Sequence, residues 1–520
     1  MKQRMNRRVF VGSALASSVF AGTRTNAAGT PILTGLAPVT DEEARSTAST
    51  VQFRPEIEPL VRLIENTPRQ RLMEEIGSQV KAGLNYQQLL GALFLAGIRN
   101  VQPRPAVGFK FHAILVVNSA HLASLASPAE DRWLPIFWAL DEFKSSQARD
   151  VNEGDWTMAA VKESQLPAPD VTVHAFRQAM KKWDEAAADV AAASVTRHLG
   201  AGQVLELYAE FAARDFRSIG HKAIYLANGW RTLQTIGWQH AEPVMRSLAY
   251  AMLNHNGEPN PSDADLPADR SWRYIETVAD DIREGWTQSV ASDNVKTDAR
   301  VILSTIRTGS ATDAVDAVVD LLNAGSPLQS IWDQIHLAAG ELMMRQSGIV
   351  ALHAVTTTNA MRFLFDHVGT DRTRRMLLLQ AAAFLPQFRD AMVSRGKLRD
   401  DRIDTQFETF EIAGTGSTNQ EALQRVLSNI RRDSGATFDG TLEWLAAGNN
   451  PQDFINATRR LVFLKGNDAH DYKFSSAAME DFYNVSPTKR PFYLAACANT
   501  FRGSQEPDNK LITRIQAALS

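Results

Sequence analysis

The chain has 520 residues, 44 % hydrophobic and 22 % charged, with a formal net charge of −3 at neutral pH. That profile is of an ordinary globular protein and excludes a mostly disordered chain, a collagen-like repeat and a multi-span membrane protein. A single cysteine, Cys497, excludes an internal disulfide and any CxxC metal or redox motif.

Met1 to about Ala28 reads as an export signal. Lys2, Arg4, Arg7 and Arg8 form a basic head, and Val9 to Phe20 form a short apolar run. Thr25-Asn26-Ala27-Ala28 is a stretch of small residues suited to cleavage. The order Asn6-Arg7-Arg8-Val9-Phe10-Val11 resembles the twin-arginine pattern and departs from it at Asn6 and Gly12. The resemblance implies a periplasmic or secreted destination, reached in folded form and often with a cofactor already loaded. Beyond this segment no run reaches the roughly 18 apolar residues of a spanning helix, so no membrane span is expected in the mature form. Removing residues 1–28 takes away five basic residues and no acid, which leaves 50 basic and 58 acidic residues and a net charge of −8. An acidic body without a Lys/Arg stripe argues against nucleic acid and anionic membrane as partners.

From Pro55 onward apolar residues recur at helical spacing, as at Leu89, Leu90, Leu93 and Phe94, and at Val315, Val318, Val319 and Leu322. No run alternates with period two. The chain is predicted to be all-α, built of helical hairpins, with about eighteen to twenty helices. Residues 30–52, 256–270 and 403–419 carry the loop signals. Matches recur at an offset of 241–244 residues: Ala82-Gly83 with Ala324-Gly325, His112-Ala113 with His353-Ala354, Asn118 with Asn359, and Pro243 with Pro487. The expected organisation is a duplication, with halves at 50–256 and 295–520 around a shared cleft, joined by a linker and connecting helix at 257–294.

Candidate chemistry begins at His112, which opens a polar set with Asn118 and His121 on an apolar helix. Residues 201–235 are predicted as one helix, on which Arg214, Arg217, His221, Tyr225 and Asn228 form a stripe at spacings of 3, 4, 4 and 3. A polar stripe among apolar neighbours needs partners, whether a structural network or a ligand. Gly237-Trp238-Gln239-His240-Ala241-Glu242-Pro243 follows. His240 and Glu242 stand in the turn before a helix opened by Pro243, where imidazole and carboxylate suit a first-row metal or acid–base work. His353 answers His112 in the second half. At 466–474, Asp468 and Asp471 read as a helix cap, with His470 and Lys473 within reach of a site between the halves. CxxCH, HExxH, P-loop, GxSxG and paired Glu-x-x-His signatures are absent.

The run from Ser218-Ile219-Gly220-His221-Lys222 through Trp230-Arg231-Thr232-Leu233 to His240-Ala241-Glu242-Pro243 resembles exported helical bacterial proteins of no established function. More remotely, and in architecture alone, a helical chain with buried histidines is similar to the questin oxidase-like proteins, which are linked to ring-opening oxidation of polyketides.

The leading expectation is an exported metal-dependent enzyme, an oxidoreductase before a hydrolase. Its metal set is His112, His221, His240 and Glu242, joined by His353, for a divalent or non-haem ion: iron first, with zinc or manganese as alternatives. Two other readings stay open. One is a metal-free polysaccharide lyase-like enzyme, with Tyr225 and His221 as base and acid and with Arg217 and Asn228 holding an acidic sugar. The other is a non-catalytic helical binding or scaffold protein. The sequence names no small-molecule substrate and no oligomeric state.

Overall fold

The computed structural model describes residues 49–520, apart from 104–111, 254–258, 262, 289–297, 406 and 408–419. The export signal read at residues 1–28 lies outside the described residues, as do most of 403–419 and part of 256–270. The described chain is all-helical, with 22 α-helices and one isolated bridge, Thr50–Ala159, in place of any sheet. No described helix is long and apolar enough to cross a membrane.

The first run of helices is α1 (Glu58–Asn66), α2 (Arg69–Lys81), α3 (Tyr86–Asn100), α4 (His112–Leu125), α5 (Leu134–Asn152), α6 (Thr172–Lys182), α7 (Glu185–His198), α8 (Ala201–Ala212), α9 (His221–Ile236), α10 (Ala241–Met252) and α11 (Pro267–Val278). The second is α12 (Arg300–Thr308), α13 (Ala311–Asn323), α14 (Leu328–Arg345), α15 (Ile349–His367), α16 (Asp371–Val393), α17 (Gln420–Asn429), α18 (Ser434–Ala446), α19 (Pro451–Lys465), α20 (Ala469–Asn484), α21 (Arg490–Ala498) and α22 (Leu511–Leu519). Local chemistry starts many of them. Asn85, Asp184, Thr370, Asp433 and Asn450 each accept a hydrogen bond from a first-turn N–H, and Ser310 and Asp468 form full capping boxes.

The two runs pack alike. α1 lies on α3 as α12 lies on α14; α4 lies against α3 and α5 as α15 lies against α14 and α16. α7 lies against α6 and α10 as α18 lies against α17 and α21. The last helix of each run crosses over: α11 packs on α13 and α16, and α22 packs on α2 and α5.

At the centre, α4 and α15 each touch both α9 and α20, so the four close a ring. α4, α9, α15 and α20 are buried on nearly every side, which is why their apolar residues show no single stripe.

The helix expected over 201–235 is broken. α8 ends at Ala212, and the chain turns through Ile219 (φ 44°) and Gly220 (φ 80°) before α9 starts at His221. Arg214 and Arg217 therefore sit in the turn, off the face that carries Tyr225 and Asn228.

Candidate metal centre

Each helix of the central ring brings one histidine from its first turn or just beyond. His112 opens α4, His221 opens α9, His470 is the second residue of α20, and His353 stands one turn into α15. The four rings meet. The Nε2 atoms of His112 and His221 are 2.8 Å apart, and those of His221 and His353 are 3.1 Å apart. His470 stands edge-on to both His112 and His353, with ring centroids 4.4 and 5.2 Å away. Among the described residues, His112, His353 and His470 form the group whose ligand atoms, all within 4.8 Å of one another, could hold an ion. His221 lies at hydrogen-bonding distance from two of them.

The backbone fixes the tautomers. His221 Nδ1 lies 2.7 Å from Ser218 O, and His353 Nδ1 lies 2.6 Å from Ile349 O. A carbonyl oxygen only accepts, so both Nδ1 atoms carry the proton and both Nε2 atoms carry the lone pair. His470 Nδ1 lies 2.5 Å from Asp468 Oδ1. Burial acts to raise the Asp468 carboxyl, yet the His470 imidazole holds it down to about 2, so it is an acceptor and His470 also carries its proton on Nδ1. Three imidazoles therefore have their remote N–H held by an oxygen and their Nε2 lone pair left for the centre. That is the usual support around metal-bound histidine.

The surroundings oppose protonating the cluster. Burial, then the charge of Lys473, holds His112 and His221 well below the ordinary imidazole range. Burial, then His221 and Lys473, does the same for His353. His470 is lowered by burial and Lys473 against the pull of Asp468. Lys473 lies one turn beyond His470 on the same face of α20 and is only 2 % exposed. Among the described residues its Nζ has no hydrogen-bond partner, and burial brings its pKa down to about 7.

Gly220 makes the approach possible. Its φ of 80° suits glycine, and a Cβ there would meet Thr357 Oγ1 at 1.9 Å. Thr357 lies one turn past His353, so this contact sets the start of α9 directly against α15.

His240 and Glu242 do not join the histidines. α9 has 16 residues, about 24 Å of helix, with His221 at its start and His240 beyond its end. The short connection places His240 near Ile236, at the far end from His221. There His240 and Glu242 line a separate surface cleft with Arg54 and Arg197. Glu242 pairs with Arg197 at 2.6 Å, and His240 is lowered by burial against the pull of Glu56.

The residues singled out for an acid–base site are engaged elsewhere. Tyr225 OH shares a hydrogen bond with Ser247 Oγ at 2.8 Å, and burial raises its pKa far above the usual phenol range. Arg217 grips Asp269 through Nε and Nη2. Asn228 Nδ2 donates to Leu115 O at 3.1 Å and ties α9 to α4. His121 lies away from the cluster, against Tyr86 OH at 2.9 Å. His470, read from the sequence mainly as part of a helix cap, is the residue that completes the ring.

No family model, no curated protein and no solved structure matches the chain.

Proposed function

We propose that the chain is a metal-dependent oxidoreductase whose ion is held by His112, His221, His353 and His470. One observation carries the reading: the Nε2 atoms of His221 and His353 face each other at 3.1 Å while both remote nitrogens donate to carbonyls. Two lone pairs at that distance repel unless a proton or a cation lies between them. A proton would make one ring an imidazolium, which burial and Lys473 oppose. A metal ion removes the conflict without adding a proton.

Imidazole donors without a thiolate suit iron or another first-row ion, with zinc or manganese as alternatives. Iron supplies one-electron chemistry and a place for substrate or oxygen. The protein's residues orient the four imidazoles and keep them neutral.

The reading also takes the chain as two copies of one helical unit. The paired packing of the two runs supports it, with α4 answering α15 and α9 answering α20. His112 then corresponds to His353 and His221 to His470, so the site lies on the joint between the copies. Export by the twin-arginine route, from Arg7-Arg8, suits a protein loaded with metal before it leaves.

Metal analysis of protein purified without chelators tests the reading. Near one first-row ion per chain, lost in a His353→Gln variant, is the expected result. Less than about 0.2 per chain, against the full occupancy of a tight site, rejects it.

A further inference from the structure

His470 has a second face. Besides meeting the other histidines, it lines a cleft of about 530 Å³ between the first turns of α15 and α20, with Gly348, Ile349, Asn467, Asn499 and Thr500 among the other walls. That volume suits a small organic ligand. Two walls of the cleft also support the cluster: Ile349 supplies the carbonyl that holds His353, and Asp468 supplies the carboxylate that holds His470.

The polar groups of the walls are unequally spent. Asp471 accepts from Arg431, from Arg502 and from the N–H groups of Asn467 and Asp468. Asn467 uses its amide oxygen on Arg502 at 2.8 Å, and Asn499 uses its own on the Arg431 N–H at 2.9 Å. The Ser347 and Thr500 hydroxyls lie 3.5 Å from each other and Asp468 keeps a partly exposed carboxylate beside His470, while the Asn467 and Asn499 amide NH2 groups donate to no other described residue. Beside them Ile349, 38 % exposed, offers an apolar edge.

We infer that this cleft is the substrate site of the histidine cluster and takes a small organic molecule with carboxylate or carbonyl oxygens and an apolar flank. The oxygens meet the Asn467 and Asn499 amides, the apolar part lies on Ile349, and the near end of the ligand reaches the ring of His470. Substrate binding needs only the cleft; its connection to chemistry rests on the metal reading above.

Gly348 allows a direct test. Its backbone is extended, with φ 163°, and a Cβ there would meet nothing within 4 Å. A Gly348→Trp side chain therefore enters the cleft without backbone strain. Benzoate serves as the probe, on the full mature chain. Calorimetry on metal-stripped protein should show saturable benzoate binding, weakened at least tenfold in Gly348→Trp and weakened also in Asn499→Leu. On cobalt-loaded protein, benzoate should shift the visible bands of the wild type and not those of Gly348→Trp, at equal cobalt content. Three results overturn the inference: no benzoate binding to the wild type, equal affinity in Gly348→Trp, or binding that leaves the cobalt bands unchanged. A chain that takes up no cobalt rejects the metal reading instead, and the calorimetric arm still decides the cleft.

Discussion

Gly220 shows how one residue sets the geometry of the centre. Its positive φ ends the turn after α8, and its bare Cα lets Thr357 approach far closer than any Cβ would allow. Gly220→Ala should cost at least the roughly 1–2 kcal/mol of a left-handed non-glycine residue, plus the collision, measured by denaturant unfolding. Metal content should fall with it, and adding Thr357→Ala should recover part of both losses. Unchanged stability would mean that α9 and α15 can separate without consequence. Lys473 makes the opposite case, because a buried amine with no hydrogen-bond partner among the described residues opposes folding. Lys473→Met should raise stability by about 1–3 kcal/mol, the cost of a buried polar group left without a hydrogen bond. A loss of stability would show that the amine has a partner essential to the fold. The sequence exposed His112, His221 and His353 because each interrupts an apolar helix. His470 was masked by its second role: Asp468 does cap α20, and the same carboxylate orients the imidazole.

At the scale of helices, periodicity revealed their existence and type, since 3.6-residue spacing follows from packing one face inward. What it could not show was where a buried helix breaks. Apolar residues recur at helical spacing on both sides of the turn at Ile219-Gly220, so it left no gap in the pattern, and the stripe drawn across it mixed two elements. Nearness in sequence likewise misled for His240, because the intervening helix carries the chain about 24 Å away from His221. The four ring helices impose a pH dependence on the metal-free protein. In the unfolded chain the imidazoles bind protons below about pH 6.5. In the folded ring, burial and Lys473 keep them from doing so. The unfolded state then binds more protons, so this stability is complete above pH 6.5 and is lost as pH falls. Lys473, at about 7 in the fold, acts with the same sign between pH 7 and its ordinary value of 10.5. Glu142, raised to about 7 by burial, opposes as a single group. The denaturation midpoint of chelator-treated protein should drop between pH 7.5 and 5.5, and a flat or rising midpoint would refute the account.

For the whole molecule, the all-α class was legible because no segment alternates with period two. The duplication remains a proposal. The offset of 241–244 residues pairs His112 with His353, whereas His221 and His470, which open the two other ring helices, lie 249 apart. The crossed-over arms were not legible at all, because sequence order says nothing about which run a terminal helix joins. α22 lies against α2 and α5 of the opposite run. Ile515 and Ala518 are buried there, and Arg514 pairs with Glu74 at 2.7 Å. The contact is close enough that a Cβ on Gly77, in α2, would meet Ala518 O at 2.4 Å. A backbone oxygen cannot rotate away as a flexible side chain would, so Gly77→Ala must push α22 off the first run. Protection of residues 511–519 against amide exchange should then fall sharply, while that of the central ring helices stays as in the wild type. If α22 serves as a clasp between the runs, the variant should also unfold at lower denaturant, by an amount similar to deleting residues 511–520. A Gly77→Ala chain with full protection of α22 would show that this helix shifts freely along α2, and the clasp would have to be sought in α11 alone.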